Sequence, residues 1–379
     1  MARLSHFVHH YFLWLLIGSY AIAAFVPSFG LWIRDASIGA ISAFGATTQI
    51  RLSMVMLASL LLNAGLGVEV QKIGAMIRRP GLMIAGLAAN FLLPIAFILV
   101  ITKMMAGWHN ADEVQNILVG LALVASMPIA GSSTAWSQNA DGDLPLSLGL
   151  VLFSTLLSPL STPVALHSVG LMATGDYAED LQELAAGGTG MFLALCILTP
   201  SLVGIGLRRG IGSRRYLAAK PVLKLVNSCV LLLLNYSNAS VSLPQAIQNP
   251  DLDFLAITLA IVLGLCVLGF AAGWLIARLL KSSPAQRISL MFGLGMNNNG
   301  TGLVLASMAL ADHPRVMLPI IFYNLVQHLV AGAVDKLNSR AAVPEPPVGG
   351  PSPPESRSPR SDDSPPGSKL GDPEFISAS

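Results

Sequence analysis

Gly293-Leu294-Gly295-Met296-Asn297-Asn298-Asn299-Gly300-Thr301-Gly302 sits inside an apolar stretch that carries no Asp, Glu, Lys or Arg from Ile288 to Ala311. A run of that length can cross a bilayer, which takes about 20 apolar residues. Its centre nevertheless holds three consecutive carboxamides and four glycines. Glycine in a helix interior is unfavourable by roughly 1 kcal/mol relative to alanine. Lipid cannot hydrogen-bond a freed backbone group, so broken helix at membrane depth survives only where it is buried in protein or lines a polar cavity. Many secondary transporters build their ion and substrate sites from such breaks. The stretch therefore predicts an all-α polytopic membrane protein and points toward transport.

Composition agrees. Of 379 residues, 53% are hydrophobic and 11% charged, with a mean hydropathy of +0.66. A soluble domain carries about 25% charged residues. The net charge of +2 says little, because orientation follows the placement of lysine and arginine. Cys196, Cys229 and Cys266 all fall in apolar stretches without metal-ligand spacing and read as small core residues. The apolar run from Tyr11 to Ile33 is too long for a signal-peptide core and reads as a first span. Nothing in the sequence calls for a nucleic-acid partner. The oligomeric state is not legible in it.

Ten spans are predicted: 11–33, 52–68, 81–102, 117–140, 144–173, 188–207, 225–243, 254–277, 288–311 and 316–334. With both termini cytoplasmic, 15 Lys/Arg outside the tail fall on the inner side, including Lys72, Arg78, Arg79, Arg208, Arg209, Arg278 and Arg287. Only four (Arg34, Arg51, Lys103 and Arg315) fall on the outer side. This is the asymmetry of the positive-inside rule, and it suits a multi-pass protein of a cell (inner) membrane. The Pro/Ser/Gly-rich stretch 341–379 reads as a disordered cytoplasmic tail.

A second interruption lies in the first half. Pro128-Ile129-Ala130-Gly131-Ser132-Ser133-Thr134 breaks the fourth span as the Asn run breaks the ninth. Leu60-Leu61-Leu62-Asn63 also recurs as Leu232-Leu233-Leu234-Asn235. The two breaks are five spans apart, an odd number, so equivalent elements run in opposite directions. The expected architecture is an inverted five-plus-five repeat whose two broken helices cross at a midplane site.

Hydroxyls and freed carbonyls at Ser133 and Thr134 are hard oxygen donors suited to a small cation, although Ser and Thr also bond back to their own helix. Asn297, Asn298 and Asn299 offer amide oxygens and donors, and three neighbours cannot share one helix face. Asn90 sits mid-span in the third helix. Ser147, Ser154 and Thr155 begin the fifth. Asn139, Asp141 and Asp143 read as cap and turn residues. His328, beside Gln327, reads as a neutral packed histidine. No Lys or Arg lies in any span, so an anion would be held by half-helix N-termini and amides. No hydrolase elbow, Walker loop or zinc-protease motif is present, and no enzyme is expected.

The two breaks, with Asp141-Gly142-Asp143-Leu144-Pro145-Leu146-Ser147, Ser154-Thr155-Leu156-Leu157-Ser158-Pro159 and Gly295-Met296-Asn297-Asn298-Asn299-Gly300, resemble the bile acid:sodium symporter family over roughly residues 11–335. The resemblance implies a core domain (spans three to five and eight to ten), a panel domain (spans one, two, six and seven), and sodium-coupled uptake of a small organic anion across the lipid bilayer. Carried over, one sodium site would use Ser133, Thr134 and Ser147, and a second Asn90, the Met296 carbonyl and Asn297. The substrate would meet Gly131, Ser132, Asn298 and Asn299. Two departures stand out. A glutamate shared by both sodium sites falls at Gly293, and a threonine ligand falls at Val151. Hard cations favour carboxylates among oxygen donors, so sodium binding should weaken, or coupling should use one sodium, a proton or nothing. A facilitative or proton-coupled carrier is the alternative reading. A sensor or channel on the same cavity fits less well, since no signalling domain and no continuous polar pore are legible.

Overall fold

The computed structural model describes residues 11–43, 46–68, 80–186, 189–310 and 312–341, together with Val8 and Gly74. Lys72, Arg78, Arg79, Ala311 and all but the first residue of the 341–379 tail lie outside the described residues. The helices are α1 (Phe12–Phe25), α2 (Ser28–Asp35), α3 (Leu52–Leu66), α4 (Pro80–Met104), α5 (Ala111–Ser126), α6 (Ser132–Asn139) and α7 (Leu144–Gly170). They continue with α8 (Asp176–Ala186), α9 (Thr189–Leu193), α10 (Thr199–Gln248), α11 (Leu252–Leu279), α12 (Pro284–Gly295), α13 (Asn299–Ala309) and α14 (Met317–Ala341). A short antiparallel hairpin, β1 (Ser37–Ala43) with β2 (Ala46–Arg51), joins α2 to α3.

Helix lies over each of the ten predicted stretches. Yet among the described residues five helical runs are long and apolar enough to cross a membrane, or six if α1 and α2 count as one bent span. The shortfall has identifiable causes. The fourth and ninth stretches are each two short helices around a break, and α3 has only 15 residues. The sixth and seventh join into one helical run, Thr189–Gln248. A single residue divides that run: Gly212, at φ 77° and ψ 160°, a conformation that essentially only glycine tolerates.

The first stretch is not the straight helix the sequence suggests. Pro27 has no N–H and a fixed φ, which ends a helix, and α1 and α2 are bent by 95° there. Tyr236 donates from its hydroxyl to the Val26 carbonyl freed at the bend (2.6 Å), and Ser237 donates to the Gly30 carbonyl (2.8 Å). By contrast α7 continues through Pro159 and Pro163, with Ser158 and Thr162 hydroxyls donating to the carbonyls of Thr155 and Ser126. Hydroxyls of this kind re-satisfy freed backbone in membrane helices.

The core centres on α5. Its residues from Val114 to Ser126 are buried apart from Gln115, the pattern of a helix enclosed on all sides. Residues of α11, α13 and α14 pack around it, among them Phe254, Leu303, Ile320 and Tyr323.

Candidate site at the crossing of two broken helices

α5 ends at Ser126 because Pro128 cannot supply the next helical hydrogen bond, and α6 begins only at Ser132. α12 ends at Gly295. Met296 is extended (φ −130°, ψ 116°), and α13 begins at Asn299. The two unwound segments pair as an isolated antiparallel bridge, Ile129 opposite Asn297. The Ala130 N–H donates to the Met296 carbonyl, and the Asn298 N–H donates to the Pro128 carbonyl, each at 2.9 Å. Each break thus satisfies backbone groups that the other has freed.

Side chains complete the accounting. The Ile129 N–H donates to Ser154 Oγ (3.1 Å), and the Asn297 N–H to Gln327 Oε1 (3.0 Å). Asn297 Nδ2 donates to the Val124 carbonyl at the end of α5 (3.1 Å). The Gly295 carbonyl, last of α12, accepts from the Tyr323 hydroxyl and the Cys266 thiol. Gln327 also donates to Asn324 Oδ1 (3.2 Å), and Asn324 Nδ2 donates to the Tyr20 hydroxyl (2.8 Å) and to Asn235 Oδ1 (3.0 Å). A continuous polar chain therefore runs from the crossing through α14 to α1 and α10.

Against this satisfied frame, several side-chain atoms are conspicuous. Ser133 Oγ, Asn297 Oδ1, both amide atoms of Asn299, and Thr301 Oγ1 are buried without a hydrogen-bond partner in the protein. All lie in the breaks or in the first turn beyond them. An unsatisfied buried polar group is unfavourable by about 1–3 kcal/mol, and such groups in native proteins call for an explanation in ligand, ion or water. No Asp, Glu, Lys or Arg lies in residues 114–139 or 288–311, so the polar character comes from amides, hydroxyls and helix ends. Gly131 is exposed, while Ser132 and Asn298 are half-buried at the starts of α6 and α13.

The predicted ligands divide. Met296 and Asn297 face the opposite break directly, and Asn297 keeps a free acceptor. Ser147 donates to Thr134 Oγ1 at 3.2 Å, so these two hydroxyls meet each other. Asn90 is half-buried on α4 and makes no hydrogen bond to Met296 or Asn297. At Gly293, a Cβ would stand 3.1 Å from Leu150 Cδ1, so an apolar side chain occupies the approach to the position of the expected glutamate. The Val151 carbonyl accepts from both Ser154 and Thr155. Asp143 caps α7 by accepting from the Leu146 N–H (3.0 Å), and Asp141 is a turn residue at φ 59°. His328 packs edge-on to Phe12.

Sequence alone does not single out Gln327, Asn324 or Tyr20, and shows Asn235 only as part of a repeat. Asn324 and Gln327, three positions apart on the last span beside Tyr323 and His328, are the signal it carries.

The SBF-like CPA transporter family matches residues 10–337 of this chain. The chain belongs to that family. An uncharacterised protein YbaS of Bacillus subtilis (strain 168) is 27% identical over 239 residues, 62% of this chain and 74% of the relative. An uncharacterised sodium-dependent transporter YocS of the same organism is 22% identical over 339 residues, 88% of this chain and 91% of the relative. As a member of the SBF-like CPA transporters, this is a multi-pass membrane protein of a transporter family.

Proposed function

We propose that the chain is a secondary active transporter that couples inward movement of a small organic anion to a cation, sodium being the first candidate. It works by alternating access at the crossing of the fourth and ninth spans. The reading takes the helices as ten spans in an inverted five-plus-five repeat. Both termini are cytoplasmic in the inner membrane, and a panel of spans one, two, six and seven faces a core made of the rest. One observation carries it: five buried polar side-chain atoms without protein partners gather at Ser133, Asn297, Asn299 and Thr301. They lie in the two breaks or in the first helical turn after them, where the unwound backbone itself is paired. Two half-helix starts, at Ser132 and Asn299, offer positive dipole ends to a carboxylate. Asn297 Oδ1 and the second lone pair of the Met296 carbonyl offer oxygens to a cation. YocS is named a sodium-dependent transporter, which favours sodium as the cation.

Gly293, where the resemblance expects a shared glutamate, favours one cation rather than two. It also favours, as the second reading, a facilitative or proton-coupled carrier. Thermal stabilisation of the purified protein by sodium against potassium separates the readings, because a ligand that binds only the folded state raises its stability. Stabilisation by sodium alone, lost in Asn297→Ala, is the expected result. Equal responses to both salts, with uptake into proteoliposomes unaffected by a sodium gradient, would sink sodium coupling.

A further inference from the structure

Only four cations fall on the outer side in the predicted topology, and one of them, Arg34, lines a cleft of about 400 Å³. The cleft is open and lies between α2 and the last turns of α10, with Pro314 also lining it. Its shape follows from the bend at Pro27. α2 is pressed against α10 so closely that a Cβ at Gly30 would overlap the Ser240 side chain. Arg34, one turn beyond Gly30, then opens into the same space as Gln245 and Gln248.

The Arg34 side chain is only 16% exposed. Its Nε has no hydrogen-bond acceptor. The nearest carboxylate oxygen, Asp35 Oδ1, is 3.5 Å away on a side chain that is 65% exposed. Desolvating a guanidinium is unfavourable unless hydrogen bonds and an opposite charge offset it. Arg315, beside Pro314, is different: it pairs with Asp251 at 3.4 Å. Gln245 and Gln248 make no side-chain hydrogen bond among the described residues and supply amide donors at the cleft wall. A planar guanidinium presents a fork of donors that matches a carboxylate.

We infer that this cleft is an outer capture site for a small carboxylate anion, with Arg34 as its anion-binding group. That the captured anion is the transported one rests on the proposed function; that the cleft takes an anion does not. The cleft also spans a panel-side surface (α2, α10) and a core-side residue (Pro314) of that reading, so relative movement of the two would open or close it. An anionic lipid headgroup at the same guanidinium is the other source of the same chemistry.

The test uses the full-length protein in uncharged detergent, with the exposed Cys229 replaced by Ser and a probe thiol introduced as Gln248→Cys. Modification rates are measured with a negatively charged and a positively charged methanethiosulfonate reagent. With Arg34 present the anionic reagent should be favoured. Arg34→Gln should lower the anionic-to-cationic ratio by about tenfold at low salt, and the effect should shrink as ionic strength rises. Arg209→Gln, at an exposed cation on the opposite side in the predicted topology, should leave the ratio unchanged. Pyruvate and 2-oxoglutarate should slow labelling where equal chloride does not. Arg34→Lys should keep most of the charge preference but lose much of the carboxylate protection. An unchanged ratio in well-folded Arg34→Gln overturns the site. Protection by phosphatidylglycerol but not by carboxylates overturns the carboxylate assignment in favour of lipid. A positive labelling result with no uptake in proteoliposomes counts against the transport reading alone.

Discussion

Gly264 and Gly269 lie on the same helix, α11, and the same substitution to alanine should act oppositely at the two. A Cβ at Gly264 would meet only Phe97, with Cζ at 3.6 Å, an ordinary contact. A Cβ at Gly269 would stand 2.5 Å from the Leu294 carbonyl oxygen and 3.1 Å from Gly295 Cα. Restoring an ordinary 3.4 Å contact there requires the backbone of α12 to retreat by nearly 1 Å. Alanine in place of glycine gains about 1 kcal/mol of helix propensity at either position. Overpacking a close contact is unfavourable by about 1–3 kcal/mol. The propensity gain cancels between the two variants, so Gly269→Ala should be the less stable by about 1–3 kcal/mol. Thermal unfolding followed by tryptophan fluorescence in one detergent reads that difference as a gap of several degrees. The pair also has a functional arm. Leu294 and Gly295 are the last residues before Met296, whose carbonyl holds the Ala130 N–H at 2.9 Å. Displacing them should weaken the bridge, so a cation-dependent stabilisation should shrink in Gly269→Ala and persist in Gly264→Ala. Equal midpoints and equal cation responses would refute the claim that α11 sets the position of the break.

Three further outcomes are expected. Gln327→Leu leaves the Asn297 N–H buried without its acceptor and should lower stability by about 1–3 kcal/mol, as read from thermal unfolding, with Asn324→Ala adding less than its separate effect because the two share one chain of bonds. Gly293→Glu supplies a carboxylate and should raise the sodium response, more so with Leu150→Ala, which removes the 3.1 Å contact at that position; no rise in either variant would count against a cation site there. Burial holds the Asp180 carboxyl above its usual range, opposed by the His313 ring, whose Nε2 is 3.5 Å away. A raised folded pKa favours the folded state at low pH, and this contribution is lost as pH rises through the raised value. Asp180→Asn should therefore remove that part of the slope in midpoint against pH.

Both breaks were legible in the sequence because each puts helix-poor, polar residues into a stretch that otherwise suits lipid. The identity of the partner was not legible: that Ile129 lies opposite Asn297 depends on how α5 and α12 meet, and no local pattern encodes it. Pro27 lay in plain view, yet an apolar run reads through a proline unless something on the far side rewards the bend. Here Tyr236 and Ser237 do so from α10. The link between Asn324 and Tyr20 spans 304 positions, and each residue alone looks like an isolated polar side chain in a span. The resemblance placed an expected glutamate at Gly293, and the contact that Leu150 would make with a side chain there is visible only in the structure.

The neutrality of the crossing segments has an electrical consequence. Residues 114–139 and 288–311 contain no Asp, Glu, Lys or Arg, so in the proposed cycle the unloaded carrier would shift no formal side-chain charge of its own in those segments as it reorients. Membrane voltage would then act there on the cargo. One elementary charge moved across 100 mV is worth about 2.3 kcal/mol, roughly fifty-fold in the gradient that can be sustained. A monovalent carboxylate carried with one cation would cross as a neutral pair and give a flat current–voltage relation, whereas a second cation would give the full slope. Recording the sign and size of that current would give the net charge moved per cycle, and so separate an anion alone, a neutral pair and a second cation, without identifying a single ligand.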